Sequence, residues 1–215
     1  MSFIQALIGS ISNAGGGAPL DYSQSGGNVE TDGAYTYVTW TASGSFTLNT
    51  AADRNVEWCM IAGGGSAARW GGGTGQSGGG GGAGGRLTGT YASMPAETWN
   101  VTIGAGSTAP TGTSPAWMFG ANGSNTEVVT SGSGDDFRCN GGGGGMSYLF
   151  GQSPYAYSGF TGGCGGGSGS VYGQFIAGGA TSFYPSPPNP TWVTETGNAG
   201  GTAAYNSSGA AASGG

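Results

Sequence analysis

The sequence predicts an all-β protein: a β-sandwich of short strands whose glycine-rich loops pack as polyglycine-II-like helices, with a short N-terminal helix. Glycine supplies 52 and proline 9 of the 215 residues. Neither residue suits a helix interior, so a helical bundle is excluded. The chain also carries 6 Trp, 10 Tyr and 8 Phe, while only 7% of its residues are charged. Many rings and little charge are typical of an ordered chain.

The first 14 residues predict a short amphipathic helix, because their large apolar residues recur at helical spacing. One alternative is a docking segment that packs on another protein, and the other is packing on its own domain. The segment lacks the positive region of a secretory signal, and no stretch reaches 18 apolar residues, so we expect no membrane span. The candidate docking residues are Phe3, Ile4, Leu7, Ile8 and Ile11.

Beyond residue 20, short runs of strand-forming residues are separated by turn residues, which predicts short β-strands joined by turns. Asp32-Gly33 predicts a hairpin, since Asp-Gly readily adopts the positive φ of a type I′ turn. The predicted strands are Val29–Thr31, Ala34–Trp40, Ser45–Leu48, Val56–Ala62, Arg86–Tyr91, Thr98–Ile103, and Ala116–Phe119 paired with Thr126–Thr130 about Asn122-Gly123.

The glycines are grouped in islands without the strict period that collagen requires. Flexible linkers are one interpretation. The other is a set of extended helices with three residues per turn, packed backbone against backbone. Ordering Gly costs roughly 0.5–1 kcal/mol more than ordering Ala, so this many glycines indicate a geometric need. The islands fall at 63–65, 71–73, 78–82, 84–85, 141–145, 162–163 and 165–167.

Four regions follow from these patterns. Residues 1–20 are the N-terminal helical segment and a glycine linker, and residues 21–130 are a β-sandwich domain with a glycine insertion at 63–85. Residues 131–199 form a glycine-island region with aromatic loops, and residues 200–215 are a tail of low complexity.

Aromatic residues are concentrated between the islands, where loops on a rigid scaffold usually carry binding. Tyr and Trp offer large, rigid contact areas at low entropic cost, which suits recognition of sugars or protein surfaces. The alternative is that these rings cap the glycine segments as a core. The candidate binding residues are Arg69, Trp70, Tyr148, Phe150, Tyr155, Tyr157, Phe160, Phe183, Tyr184 and Trp192.

The charged residues exclude several classes of function. The chain has four Arg, no Lys and no His, too few cations to neutralise a nucleic-acid backbone. The absence of His removes the commonest general base and metal ligand. We therefore expect no enzyme activity, no catalytic residues, no metal and no cofactor. The three cysteines have no C-x-x-C spacing and are expected to be reduced thiols, and a single bridge such as Cys139–Cys164 is the alternative.

Three strings carry a family resemblance: Val56–Gly65, Gly78–Gly85 and Thr98–Gly106. Together they resemble the glycine-rich domain of tail and other virion proteins of tailed bacteriophages, over about residues 36–106. The later islands are similar in composition to the glycine-sandwich tip adhesins of T-even long tail fibres.

The resemblance implies a structural virion protein, most simply a tail-fibre or tail-tip component that binds a host receptor. Capsid decoration or a head fibre is the alternative. It further implies a homotrimer assembled in the host cytoplasm and attached to other virion proteins by the N-terminal segment. The expected receptor is a host surface glycan or an outer-membrane protein.

Overall fold

The computed structural model is all-β, and the residues that it describes contain no helix. It therefore shows none that is long and apolar enough to cross a membrane. The described residues are 7–12, 21–32, 35–51, 56–69, 78–91, 93–111, 119–130, 136–147, 159–168, 179–181, 194–201, 205–206 and 209–210.

In the part of the chain that the structure describes, nine strands form one antiparallel sheet in the order β8-β7-β6-β3-β1-β4-β5-β9, and β2 pairs with β3 beside this path. A separate pair, β10 and β11, lies near the C-terminus. The strands are β1 Leu7–Ser12, β2 Tyr22–Asp32, β3 Tyr35–Leu48, β4 Val56–Ile61, β5 Arg86–Tyr91, β6 Thr98–Thr102, β7 Thr126–Thr130, β8 Phe137–Cys139, β9 Thr194–Thr196, β10 Tyr205–Asn206 and β11 Gly209–Ala210.

The strand predictions made from alternation are mostly confirmed. The hairpin at Asp32-Gly33 joins β2 and β3, with Asp32 opposite Tyr35. The strands predicted at 86–91 and 126–130 have the predicted bounds, and β4 and β6 each end one residue early. These strands are rich in Val, Thr, Trp and Tyr, which fit a pleated surface buried on one face.

The predicted N-terminal helix is not confirmed: Leu7–Ser12 is strand β1, and this part of the prediction is corrected. Ile8 lies opposite Thr39 of β3 on one side and Cys59 of β4 on the other. A helix here would leave the facing edges of β3 and β4 unpaired, whereas a strand satisfies both. Phe3 and Ile4 lie outside the described residues.

The sheet packs around a hydrophobic core that contains a cluster of aromatic side chains. Phe137 of β8 stacks on Trp99 with ring centroids 5.4 Å apart, and it also contacts Trp58 and Tyr91 at 6.3 and 6.2 Å. Tyr91 belongs to β5, which is far from β8 in the order of strands. The sheet therefore bends until its two ends meet across the core. Because β1–β9 form one sheet, the predicted two-sheet sandwich is not confirmed.

A second packed region, which we call the glycine bundle, continues directly from the ends of the strands. Its segments lie outside regular strands and run side by side. They are 62–68 after β4, 78–85 before β5, 104–107 after β6, 119–125 before β7, 140–147 after β8, 197–201 after β9, and the intervening 159–168 and 179–181.

Backbone hydrogen bonds join these segments every three residues. Segment 62–68 donates to segment 78–85 through three bonds whose donors and acceptors are both spaced by three: Ala62 to Gly85 at 3.1 Å, Gly65 to Gly82 at 2.8 Å and Ala68 to Gly79 at 2.9 Å. The amide of Gly63 donates instead to the carbonyl of Ser124, and the amide of Ser66 donates to the carbonyl of Ala121, both at 3.0 Å. Successive residues thus bond to different neighbours, unlike residues of a β-ladder.

Segment 140–147 lies at the centre of the bundle. It exchanges hydrogen bonds with 62–68, 78–85, 119–125 and 159–168, and its residues 141–147 are all buried. A Cβ added to any glycine from 141 to 145 would come within 3.0 Å of a backbone atom of a neighbouring segment. Only glycine permits this approach, so the island at 141–145 is a requirement of the packing.

The hairpin signal at Asn122-Gly123 has a different role from the one predicted. Gly123 donates to the carbonyl of Gly142 at 2.9 Å, and the Asn122 side chain accepts from the amide of Gly144 at 2.8 Å. Residues 120–125 are not strands, and they form a bundle segment that leads into β7. Of the strand predicted at Ala116–Phe119, only Phe119 is described, and it is not in a strand.

Candidate binding surface at the open end of the glycine bundle

The glycine bundle has two different ends. At the sheet end, Ala62, Gly85 and Asn140 are linked by hydrogen bonds and continue β4, β5 and β8. The opposite end, which we call the open end, is a level defined by three further bonds: Ala68 to Gly79 at 2.9 Å, Gly79 to Met146 at 2.8 Å and Met146 to Gly167 at 3.0 Å. The described part of the chain places no strand of the nine-stranded sheet at this level.

The chain leaves and re-enters the bundle repeatedly at the open end. Residues 70–77, 148–158 and 169–178 lie outside the described residues, but the residues on both sides of each stretch belong to this end. Gly159 and Gly179, where the last two stretches return, lie against Gly166. Three connections of the chain are therefore anchored at one end of the bundle.

Two of the ten sequence-predicted binding residues are described, and both lie towards the open end. Arg69 is exposed and directly follows segment 62–68. Phe160 is 39% exposed, and its amide donates to the carbonyl of Gly144 at 3.0 Å. The structure adds Phe119, which is 37% exposed and precedes Gly120 at the same end. In the sequence, Phe119 is a ring directly before a glycine, as several candidate binding residues are near glycines. It was not a candidate because the sequence predicted a strand at Ala116–Phe119.

The other eight predicted residues lie outside the described residues. The stretches that contain them begin and end at different parts of the molecule. Five of them belong to stretches anchored at the open end: Trp70, Tyr148, Phe150, Tyr155 and Tyr157. The remaining three are Phe183, Tyr184 and Trp192, between residues 181 and 194. Thr194 pairs with Thr88 in the sheet. The candidate set is thus divided between two anchoring regions.

The charged residues are distributed unequally between the sheet and the open end of the bundle. All ten acidic residues fall outside the bundle segments and outside the stretches anchored at the open end; they are Asp21, Glu30, Asp32, Asp53, Glu57, Glu97, Glu127, Asp135, Asp136 and Glu195. Arg69 is the one charged residue of the bundle region, and the other three Arg are at 54, 86 and 138. The described strands of the sheet carry five acidic residues and two arginines, so the sheet is acidic, whereas the sequence places only Arg69 at or between the segments of the open end.

A concave surface lies on the sheet, mainly on the face away from the aromatic core. This groove of about 460 Å³ is lined by Tyr37, Glu57, Trp58, Cys59, Arg86, Thr88, Gly89 and Thr90. Its cysteine is a free thiol, as are Cys139 and Cys164. Among the described residues, no three metal-ligating side chains are grouped closely enough to hold an ion.

Comparison with known proteins identifies the family of the chain. A family model described as a glycine-rich domain matches residues 39–215. The chain belongs to this family. The glycine-rich domain includes most of β3, the later strands and the whole bundle, so the match extends well beyond the residues that carried the resemblance in the sequence. The comparison with curated proteins found no match, and neither did the comparison with solved structures.

Proposed function

We propose that this glycine-rich domain protein is a non-enzymatic structural protein of a tailed-phage virion. In this proposal it is a tail-fibre or tail-tip component, and its open end contributes to binding a host receptor. The observation that carries the proposal is the return of the chain to the open end in three separate connections. Connections on a rigid scaffold can vary in length and content without disturbing it, and binding is usually found there.

The glycine bundle supplies that rigid scaffold. Its three-residue hydrogen-bond spacing is the spacing of polyglycine II, which has three residues per turn. We assign its segments to that class of helix. Each segment is held by neighbours on several sides, so a change in one connection leaves the bonds of the other segments intact.

The chemistry of the open end favours an uncharged receptor surface. Phe119 and Phe160 expose apolar rings there, and Arg69 is the only ionic group of the bundle region. Aromatic and Arg side chains are the residues that most often dominate binding energy at interfaces. A host surface glycan or an apolar part of an outer-membrane protein would fit these groups.

In the same proposal the acidic sheet faces the particle. The protein is a homotrimer assembled in the host cytoplasm and attached to other virion proteins. Leu7, Ile8 and Ile11 are in a strand that is paired on both edges inside the chain. Attachment through the N-terminal segment therefore relies on Phe3 and Ile4, ahead of β1.

A competition assay tests receptor binding. Purified protein is incubated with host cells, virions are added, and the unadsorbed virions are counted. We expect the wild-type protein to block adsorption and a variant with Arg69→Ser, Phe119→Ser and Phe160→Ser to lose this effect. The matched control is Val29→Ser with Tyr35→Ser, since both side chains are 42% exposed but lie on the sheet. Equal competition by the open-end variant would contradict the proposed surface.

The position of the protein in the particle separates the tail tip from the alternative role. A cryo-EM map of the virion should show the protein at the tail, with the open end pointing outwards. Density on the capsid instead would favour the capsid decoration or head-fibre role and exclude the tail tip.

A further inference from the structure

Among the described strands, β2 pairs only with β3, and Val29, Glu30 and Thr31 on it are exposed. The strand is long, Tyr22–Asp32, and it pairs along its length with β3. Every second residue of an edge strand directs its N–H and C=O away from the sheet, which makes such an edge a template for strand addition.

The side chain of Gln24 identifies which residues face outwards. Its Oε1 accepts from the amide of Gly27 at 2.8 Å, and its Nε2 donates to the carbonyl of Gly27 at 3.0 Å. Both backbone groups of Gly27 therefore point away from β3, and by alternation so do those of Val29 and Thr31. Gln24 occupies the edge at Gly27 as an added strand would, and it leaves the edge at 29–31 open.

The two faces of this edge differ in chemistry. Val29 lies opposite Val38, which is 2% exposed, yet Val29 itself is 42% exposed. The apolar face is thus left uncovered at the edge. On the other face, Glu30 lies opposite Tyr37 and Asp32 opposite Tyr35. The two tyrosine rings are 6.2 Å apart, so carboxylates and rings alternate on one small surface.

We propose that the edge of β2 at residues 28–32 is a docking surface for an extended, cationic segment of a partner protein. The partner adds as a strand and forms backbone hydrogen bonds with Val29 and Thr31. Its apolar side chains cover Val29, and its alternate Lys or Arg side chains face Glu30 and Asp32. Tyr35 and Tyr37 offer ring faces to the same cations.

A second copy of this chain is a poorer occupant. Two β2 edges would bring Glu30 and Asp32 of both copies to the same small interface, where like charges destabilise pairing. The sheet that carries this edge is acidic as a whole, so it attracts cationic segments and repels its own copy. The inference stands independently of the receptor-binding proposal, since it concerns the opposite part of the molecule.

Fluorescence anisotropy with a labelled synthetic peptide of alternating Lys and Val tests the proposal on the full chain. We expect saturable binding that Glu30→Gln with Asp32→Asn weakens about tenfold, because two charge pairs are lost. Val29→Pro should weaken it by a similar factor. Proline removes the outward N–H but none of the bonds to β3, and edge strands tolerate it there.

A peptide N-methylated at alternate residues keeps every charge but cannot pair as a strand, and it provides the control on the unmodified protein. We expect it not to bind. Equal binding of the methylated and unmethylated peptides would show charge attraction alone and overturn strand addition, as would an absence of binding by both. Sedimentation that shows the free protein self-associating through β2, with Val29→Pro abolishing the association, would overturn the cationic partner in favour of a second copy.

Discussion

The island Gly63–Gly65 offers a sharp test of backbone packing, because adjacent glycines meet very different surroundings. A Cβ on Gly65 would lie within 3.0 Å of backbone atoms of Gly142 and Gly143. A Cβ on Gly64 has the carbonyl oxygen of Gly82 at 3.6 Å, which is ordinary contact. Gly65→Ala and Gly64→Ala therefore make the same chemical change one residue apart, the first against fixed backbone and the second into available space.

Gly65→Ala should destabilise the protein by about 3 kcal/mol. Overpacking typically costs about 1–3 kcal/mol. The displaced segment would also weaken the bond from Gly65 to Gly82, now 2.8 Å long, and such a bond contributes about 1 kcal/mol net. For a protein of this size that corresponds to a fall in Tm of roughly 6–12 °C. Gly64→Ala should instead stabilise by about 0.4–1 kcal/mol, since Ala restricts the unfolded chain.

Thermal unfolding followed by near-UV circular dichroism, together with urea unfolding to check that the m-value is unchanged, measures both variants. We expect the change in the free energy of unfolding to have opposite signs for the two substitutions. If Gly65→Ala were as stable as the wild type, or if both alanines had the same effect, close backbone packing of the glycine bundle would be refuted.

Three further predictions concern other parts of the molecule. Thr126→Val should cost about 2–4 kcal/mol in urea unfolding and Thr126→Ser much less, because the buried Thr126 hydroxyl accepts from the Gly104 amide at 3.0 Å and donates to the Ile61 carbonyl at 2.8 Å. Phe137→Ala should cost about 3–5 kcal/mol, with a changed Trp fluorescence spectrum, since this ring joins both ends of the sheet; a loss below 1 kcal/mol would contradict a single aromatic core. Cys139, which is 0% exposed, should react with a thiol reagent more slowly than the other two cysteines in the native protein and equally fast in denaturant; mass spectrometry after timed alkylation would check this.

Local patterns were sufficient for most of the strands, but not for the short strands β8 and β9. They left open whether the glycine islands are packed elements or linkers, which the hydrogen bonds between the segments decided. Arg86–Tyr91 and Thr126–Thr130 are short and rich in Thr, Val and Tyr, and this composition predicted strands with the observed bounds. The helix predicted from the spacing of apolar residues was not confirmed at Leu7–Ser12, which is strand β1. A short apolar stripe is compatible with a helix or a strand, and the choice depended on the two unpaired edges of β3 and β4.

The candidate site was predictable in kind but not in arrangement. Rings between glycine islands could be identified by residue type, and Arg69 and Phe160 do lie towards the open end. The sequence did not separate Trp192 from Tyr155, because it does not show that Thr194 pairs with β5 while Gly159 returns to the bundle. Phe119 was missed since its exposure depends on neighbouring segments.

By itself, the sequence determined that this protein is built from short strands and islands of glycine, and that no acidic residue lies within an island. Those properties are local, set by the backbone freedom of Gly, the β-propensity of Val, Thr and Trp, and the positions of ionic residues. Only the tertiary structure decided that one bent sheet encloses the rings and that its strands extend into a bundle bonded every three residues. It also decided that β2 pairs with β3 alone among the described strands. These features depend on which distant segments become neighbours. Backbone N–H and C=O groups are the same in almost every residue, so the sequence does not identify which segments bond to each other.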